Sequence, residues 1–189
     1  GVSSAPHPFS LLDALRDSAK KCDMVEVFNS NNVDILSNAR ATQFALDNKM
    51  TQVAGSDSHV LSTLGRCVNL IESENNLDSI LQSMKHGKIE ILQTGYALQN
   101  ETLDHLKYKI HNSKDYLIDY ISEHYPNAKW LLTFLLRVYD VNQNSHIWSL
   151  FYKIALFLMK RISQKINFQN QDPGFMKDRN LTTMFKMAL

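Results

Sequence analysis

Three side chains in this sequence have the type and spacing to do chemistry. His7 follows the apolar run Val2 to Ala5 and stands directly before Pro8. Asp57 and His59 lie two residues apart in Gly55-Ser56-Asp57-Ser58-His59, just beyond the run Gln52 to Ala54. In parallel α/β folds, ligands and metals collect at the carboxyl ends of strands. Where extended geometry persists past a strand end, side chains at i and i+2 project to the same side. An Asp-x-His there presents a carboxylate oxygen and an imidazole nitrogen to one metal ion, a donor pair that suits manganese, iron or zinc better than calcium. Gly55 lets the backbone turn sharply beside a bound ion or phosphate. The competing reading is an Asx or Ser turn that opens a helix, with His59 an ordinary surface residue. D-x-H is a short pattern, and spacing alone leaves both readings open.

The elements that must position these residues are strands alternating with helices. Val2 to Ala5 reads as the end of a strand, and Leu11 to Lys20 has helical spacing. Met24 to Phe28 is a β-rich run, followed by a helix from about Asp34 to Asn48 and the short strand Gln52 to Ala54. Arg66 to Ile71 reads as a strand, Leu77 to Lys85 as a helix, and Ile89 to Leu92 as a strand. The alternation predicts βα units with parallel pairing. The nearly continuous apolar strands predict a sheet covered on both faces.

From about Gly95 onward the pattern is helical throughout. Leu103, Leu106, Ile110, Leu117 and Ile121 recur at steps of three, four or seven, which predicts one long amphipathic helix. Pro126 stops it, and Asn127 is placed to cap the next helix, whose stripe is Trp130, Leu131, Phe134, Leu135 and Val138. Ser145 is placed to cap a third helix, from about His146 to Ile166. Asp172-Pro173-Gly174 reads as a turn before a short helix from about Asp178 to Met187. Ile147 to Met159 is apolar nearly all round apart from Lys153, too short and too polar to span a bilayer. A buried helix is the plain expectation for it. A partner groove or a membrane-surface helix aided by Lys160, Arg161 and Lys165 is the functional one.

The 189 residues carry a formal net charge of +1 that conceals an asymmetry. Residues 1–126 hold 11 Lys/Arg against 16 Asp/Glu, and residues 127–189 hold 9 against 3. The basic third is either a solvated cationic helix face or a surface for nucleic acid or an anionic membrane. Cys22 and Cys67 match no zinc or redox spacing and read as packed, reduced thiols. Gly1-Val2-Ser3-Ser4 leads into a His-Pro pair rather than a basic-then-apolar leader, so a cytoplasmic chain is expected. G-x-G-x-x-G, Walker A, H-E-x-x-H and G-x-S-x-G patterns are absent, as is an RNP-like aromatic strand.

Four segments, in order over roughly the first 90 residues, resemble the PHP (polymerase and histidinol phosphatase) superfamily. Ala5-Pro6-His7-Pro8-Phe9 resembles its late A-H-P segment, and Asp23 to Asn29 its D-x-I-E-V-x-N strand. Ala54 to His59 with Leu64-Gly65-Arg66 is similar to its closing G-S-D-x-H … G-R segment. Leu77 to Lys88 follows its helix ending in a Lys-x-Gly-Lys-like turn, here Lys85-His86-Gly87-Lys88. The resemblance implies an α/β fold: the rear part of a distorted (β/α)7 TIM-like barrel over residues 1–94, then an all-helical extension over 95–189. It implies metal-ligand roles for His7, Asp57 and His59, with divalent manganese, zinc or iron. Ser56 and Arg66 become candidate contacts to substrate phosphate. Glu26 and Asn29 are candidate outer-shell partners, or simply hydrogen-bonding groups within the barrel. The implied reaction is hydrolysis of phosphate esters, nucleotides or oligonucleotides among them, by a metal-activated water.

The sequence also departs from that family. The His-x-His opening and the Asp, His, Glu and His that follow it in an intact PHP domain have no counterpart ahead of His7. His86, His105, His111, His124 and His146 lie outside the similar segments and form no i, i+3 or i+4 pair. The expectation is therefore the rear portion of a metal-dependent phosphoesterase, inactive by itself. A half barrel exposes a strand edge and apolar faces, so a complementing N-terminal half, a homo-oligomer, or C-terminal helices packed over that surface is expected. The contrasting reading is a non-catalytic scaffold whose basic helical tail binds protein, nucleic acid or an anionic membrane surface.

Overall fold

The computed structural model describes residues 1–11, 14–124, 126, 129–171 and 181–188. The expected cap at Asn127 and turn at 172–174 lie outside the described residues. The chain divides into two compact units, Gly1–Ala97 with Ser163–Gln171, and Leu98–Ile162 with the C-terminal helix.

The first unit is built on three parallel strands in the order β1-β2-β3: β1 (Ser4–Ala5), β2 (Met24–Asn29) and β3 (Thr51–Gly55). β2, the middle strand, is buried along almost its whole length, as a strand covered on both faces must be. A bulge between Glu26 and Phe28 shifts its register against β3, so Glu26 faces Val53 while Asn29 faces Gly55. Bulges of this kind re-aim side chains near functional sites.

Helix α1 (Leu36–Asp47) covers β2 and lays Ser37, Asn38, Ala41, Phe44 and Ala45 inward at helical spacing. Its start is fixed by Asp34, whose carboxylate accepts from the Ser37 amide at 3.2 Å and hydroxyl at 2.7 Å. The core joins Ala5, Phe9, Ala19, Val25, Val27, Ala41, Phe44 and Ala45, with the Phe9 and Phe44 rings edge-to-face at 5.0 Å.

The remaining strands differ from expectation. β4 (Val68–Ile71) and β5 (Ile89–Gln93), joined through α2 (Leu77–Lys85), pair antiparallel as a separate two-stranded sheet. The outer edge of β3 is closed by a side chain instead of a strand. The Asn69 amide accepts from Ala54 N–H at 2.9 Å and donates to Ala54 O at 2.7 Å. The helix expected over residues 11–20 is a 3-10 turn at Arg16–Lys21. Here, then, is a mixed α/β fold with small sheets and no closed barrel among the described residues.

The second unit is helical: α3 (Gln99–His124), α4 (Lys129–Val141), α5 (Ile147–Phe168, of which residues to Ile162 belong here) and α6 (Leu181–Ala188). The single long helix expected from periodicity is broken at Ser113, whose φ of −140° leaves the helical range. Ser145 caps α5 as expected, its hydroxyl accepting from Ile147 N–H at 3.3 Å. The stretch Ile147 to Met159, expected as a buried helix, is not buried, and the stripe read on α4 is exposed as well. α4 turns Tyr139 inward, and Asp140 pairs with Lys114 of α3, which leaves the Trp130–Phe134–Val138 stripe exposed. On α5, Ile147, Leu150, Phe151, Ile154 and Phe157 are likewise exposed. No helix among the described residues is long and apolar enough to cross a membrane.

Candidate metal centre

Because β1, β2 and β3 run parallel, the residues leaving their carboxyl ends collect at one end of the sheet: His7 after β1, Asn29 to Asn31 after β2, and Ser56 to His59 after β3. Glu26 joins them from within β2. Its Oε2 accepts from the His7 backbone N–H at 2.6 Å and from Asn29 Nδ2 at 3.0 Å. This carboxyl is buried, and loss of water pushes its pKa above the ordinary glutamate value; the bonds from Asn29 and His7 act in the opposite direction, while the Asp57 charge adds to the rise.

Gly55 has a role different from the sharp turn expected of it. A Cβ at this position would stand 1.8 Å from Glu26 Oε1. Glycine therefore makes room for the carboxyl to lie against β3. Asn38, from the first turn of α1, fixes the end of β2 by accepting from Asn29 N–H at 3.1 Å and donating to Asn29 O at 3.0 Å. Asn29 Oδ1 in turn accepts from Asn31 N–H at 2.8 Å, an Asx-type turn that directs the Asn31 side chain.

Asn31 Nδ2 then donates to Asp57 O at 2.6 Å and to Asp57 Oδ2 at 3.1 Å. Asp57 sits in the left-handed region with φ 45°, a conformation aspartate tolerates better than most residues. His59 folds back so that Nδ1 lies 2.8 Å from Asp57 O and 3.9 Å from Asp57 Oδ1. Donation from Nδ1–H to that carbonyl assigns the lone pair of the neutral ring to Nε2, the arrangement usual for a metal-binding histidine. His7 Nδ1 is 3.2 Å from Ser10 Oγ, and its backbone is also left-handed, with φ 29°.

The structure brings Asp57 and His59 together through a turn, not through extended backbone, because β3 ends at Gly55. Among the described residues no group of three or more His, Cys, Asp or Glu side chains stands close enough to hold a metal ion. The donor set thus fits a divalent ion in part: one carboxylate and one imidazole, both half-exposed. Ser56 and Arg66 face the backbone around them. Ser56 Oγ accepts from Cys67 N–H at 2.9 Å, and Arg66 donates to Tyr96 O at 3.3 Å and Ser62 O at 3.4 Å. Asn31 and Asn38 hold the site and were not expected from the sequence. The signal was present in the run Asn29-Ser30-Asn31-Asn32 after an apolar strand, since short amides favour side-chain turns there.

Residues 36–89 match a family model described as PHP-associated. The matched span runs from α1 through β3, the Asp57–His59 turn, β4 and α2 to the first residue of β5. It is consistent with the C-terminal portion of a PHP-superfamily protein. His7, Glu26, Asn29 and the helical unit lie outside the match. No curated protein and no solved structure gives a significant match to the chain.

Proposed function

We propose that the chain is the C-terminal part of a metal-dependent phosphoesterase and contributes Asp57 and His59 as ligands to a divalent manganese, zinc or iron ion; His7, which leaves β1 at the same end of the sheet, would join them only in the completed site of the parent protein. The observation that carries this reading is the Asp57–His59 turn at the carboxyl end of a parallel strand, with the His59 ring oriented by the Asp57 carbonyl and set within the PHP-associated span. The chemistry such an ion supplies is polarisation of a phosphoester and acidification of a bound water. Within this proposal the strands are the rear part of a (β/α) barrel, and phosphate esters such as nucleotides or oligonucleotides are the substrates. Glu26 and Asn29 set the geometry by joining the His7 segment to β2. Asn31 fixes the carboxylate of Asp57.

The test is calorimetric titration of the metal-stripped chain with Mn2+ and Zn2+. Weak binding is expected, and it should fall by roughly tenfold or more in Asp57→Asn and in His59→Ala. No binding to the unmutated chain, or binding unchanged in both variants, refutes the ligand assignment. With Mn2+ and a generic phosphodiester the chain alone should show no turnover. Robust hydrolysis abolished by Asp57→Ala would show that the donors present are sufficient.

A further inference from the structure

The apolar residues left exposed on α4 and α5 are ordered along each helix. On α4, Trp130, Phe134, Val138 and Val141 recur at steps of four, four and three, a single line on the helix surface, with Leu131 beside it. Trp130 is 74% exposed and Phe134 58%. On α5, Ile147, Leu150, Phe151, Ile154 and Phe157 form a second line, with Leu150 57% and Phe157 56% exposed. Arg161 continues that line one turn further on, its guanidinium 5.9 Å from the Phe157 ring. Single exposed apolar residues are ordinary on a protein surface, but continuous lines of large ones mark a contact.

The charges on the same helices identify the contact. α4 and α5 carry Lys129, Arg137, Lys153, Lys160, Arg161 and Lys165 against a single acid, Asp140, and that acid is already paired with Lys114. A second copy docked through these faces would bring like charge against like charge. An anionic bilayer answers both features: acyl chains receive the aromatic and aliphatic lines, and headgroup phosphates and carboxylates meet the lysines and arginines. Lys153, placed within the apolar stretch, is long enough to carry its ammonium out to the headgroups. An apolar line flanked by cations is the pattern that suits a helix lying in the plane of the interface.

We propose that α4 and α5 are an interfacial membrane-docking module that binds the surface of an anionic bilayer. This inference is independent of the metal site. The experiment is co-sedimentation of the full chain with phosphatidylcholine vesicles, with and without phosphatidylserine, alongside tryptophan emission of a Trp148→Phe variant, in which Trp130 is the remaining indole. The expected result is at least about tenfold tighter binding when phosphatidylserine is present, weakened by salt, with a blue shift of emission. Phe134→Glu and Leu150→Glu sit on exposed surface, so helicity by circular dichroism should hold. Each should weaken vesicle binding by about tenfold or more. Equal binding to both vesicle types, no binding to either, or wild-type binding in both folded variants overturns the proposal. A concentration-dependent dimer abolished by Leu150→Glu, in a chain that ignores vesicles, assigns the face to a second copy instead. Salt-sensitive RNA binding without vesicle binding assigns it to nucleic acid.

Discussion

Gly55→Ala is expected to disturb this fold more than its size suggests, and the reason lies on the neighbouring strand. Gly55 has no left-handed requirement, since among the described glycines only Gly65 and Gly87 have positive φ. Alanine therefore brings no backbone strain. What it brings is a methyl 1.8 Å from Glu26 Oε1 and 3.0 Å from Glu26 Cδ. The carboxyl must retreat by roughly 1.5 Å to reach ordinary contact. That movement breaks the 2.6 Å bond from His7 N–H and the 3.0 Å bond from Asn29 Nδ2. Each lost bond costs about 1–2 kcal/mol when its buried partner is stranded, so the substitution should destabilise by about 2–4 kcal/mol. Glu26→Ala loses the same two bonds and should cost a similar amount. The two substitutions remove one shared feature, so the double variant should cost hardly more than either single one, a coupling of about 2 kcal/mol or more. In the Glu26→Ala background, Gly55→Ala should be neutral or stabilising by about 0.5 kcal/mol, because glycine in a strand carries an entropic cost. Hydrogen exchange of the β2 amides, calibrated by urea denaturation, reads this unit by itself. Additive costs in the double variant would refute the contact between Glu26 and Gly55.

Two further outcomes follow from the same sheet. Asn69→Leu removes both bonds that close the outer edge of β3 at Ala54; it should cost about 2 kcal/mol and expose the Ala54 amide to exchange, and unchanged protection there would sink the account. Glu26→Gln keeps an acceptor for His7 and Asn29 but cannot ionise. The folded-state pKa of Glu26 is raised, so the stability its protonated form contributes is fully present below the ordinary glutamate value and is lost as pH rises through the folded value. With metals chelated, the wild-type advantage over Glu26→Gln should therefore shrink as pH rises across that window, and an advantage that grows with pH would contradict the sign.

Much of the first unit was legible because local signals and tertiary packing agree there. β2 reads as a buried strand from Met24 to Phe28 and is one, since its apolar run has no polar face to turn outward. α2 falls on Leu77–Lys85, where Asn76 caps its first turn through Ser79 N–H. The antiparallel pairing of β4 with β5 was not legible. Alternation of strand and helix favours parallel pairing on average; here β4 runs against β5, and the edge of β3 is met by the side chain of Asn69 from β4. The kink at Ser113 escaped for a similar reason: the apolar period of α3 passes through it unbroken.

The site shows the same division at closer range. Residue types pointed to Asp57 and His59, and the structure sets them side by side, but the spacing argument supposed extended backbone that ends before either residue. The pair forms because Asn31 holds Asp57 in a left-handed turn and the turn carbonyl receives the His59 ring. A pattern such as D-x-H therefore specifies which atoms can act, while the amides around it decide where those atoms stand. Gly55 makes the point most sharply. Its presence beside the motif suggested a turn near a ligand, yet its missing side chain serves Glu26 on the next strand. A glycine selected for a neighbour's carboxyl cannot be told from one selected for its own φ until the strand register is known. Register is the one property of a sheet that depends on both strands at once.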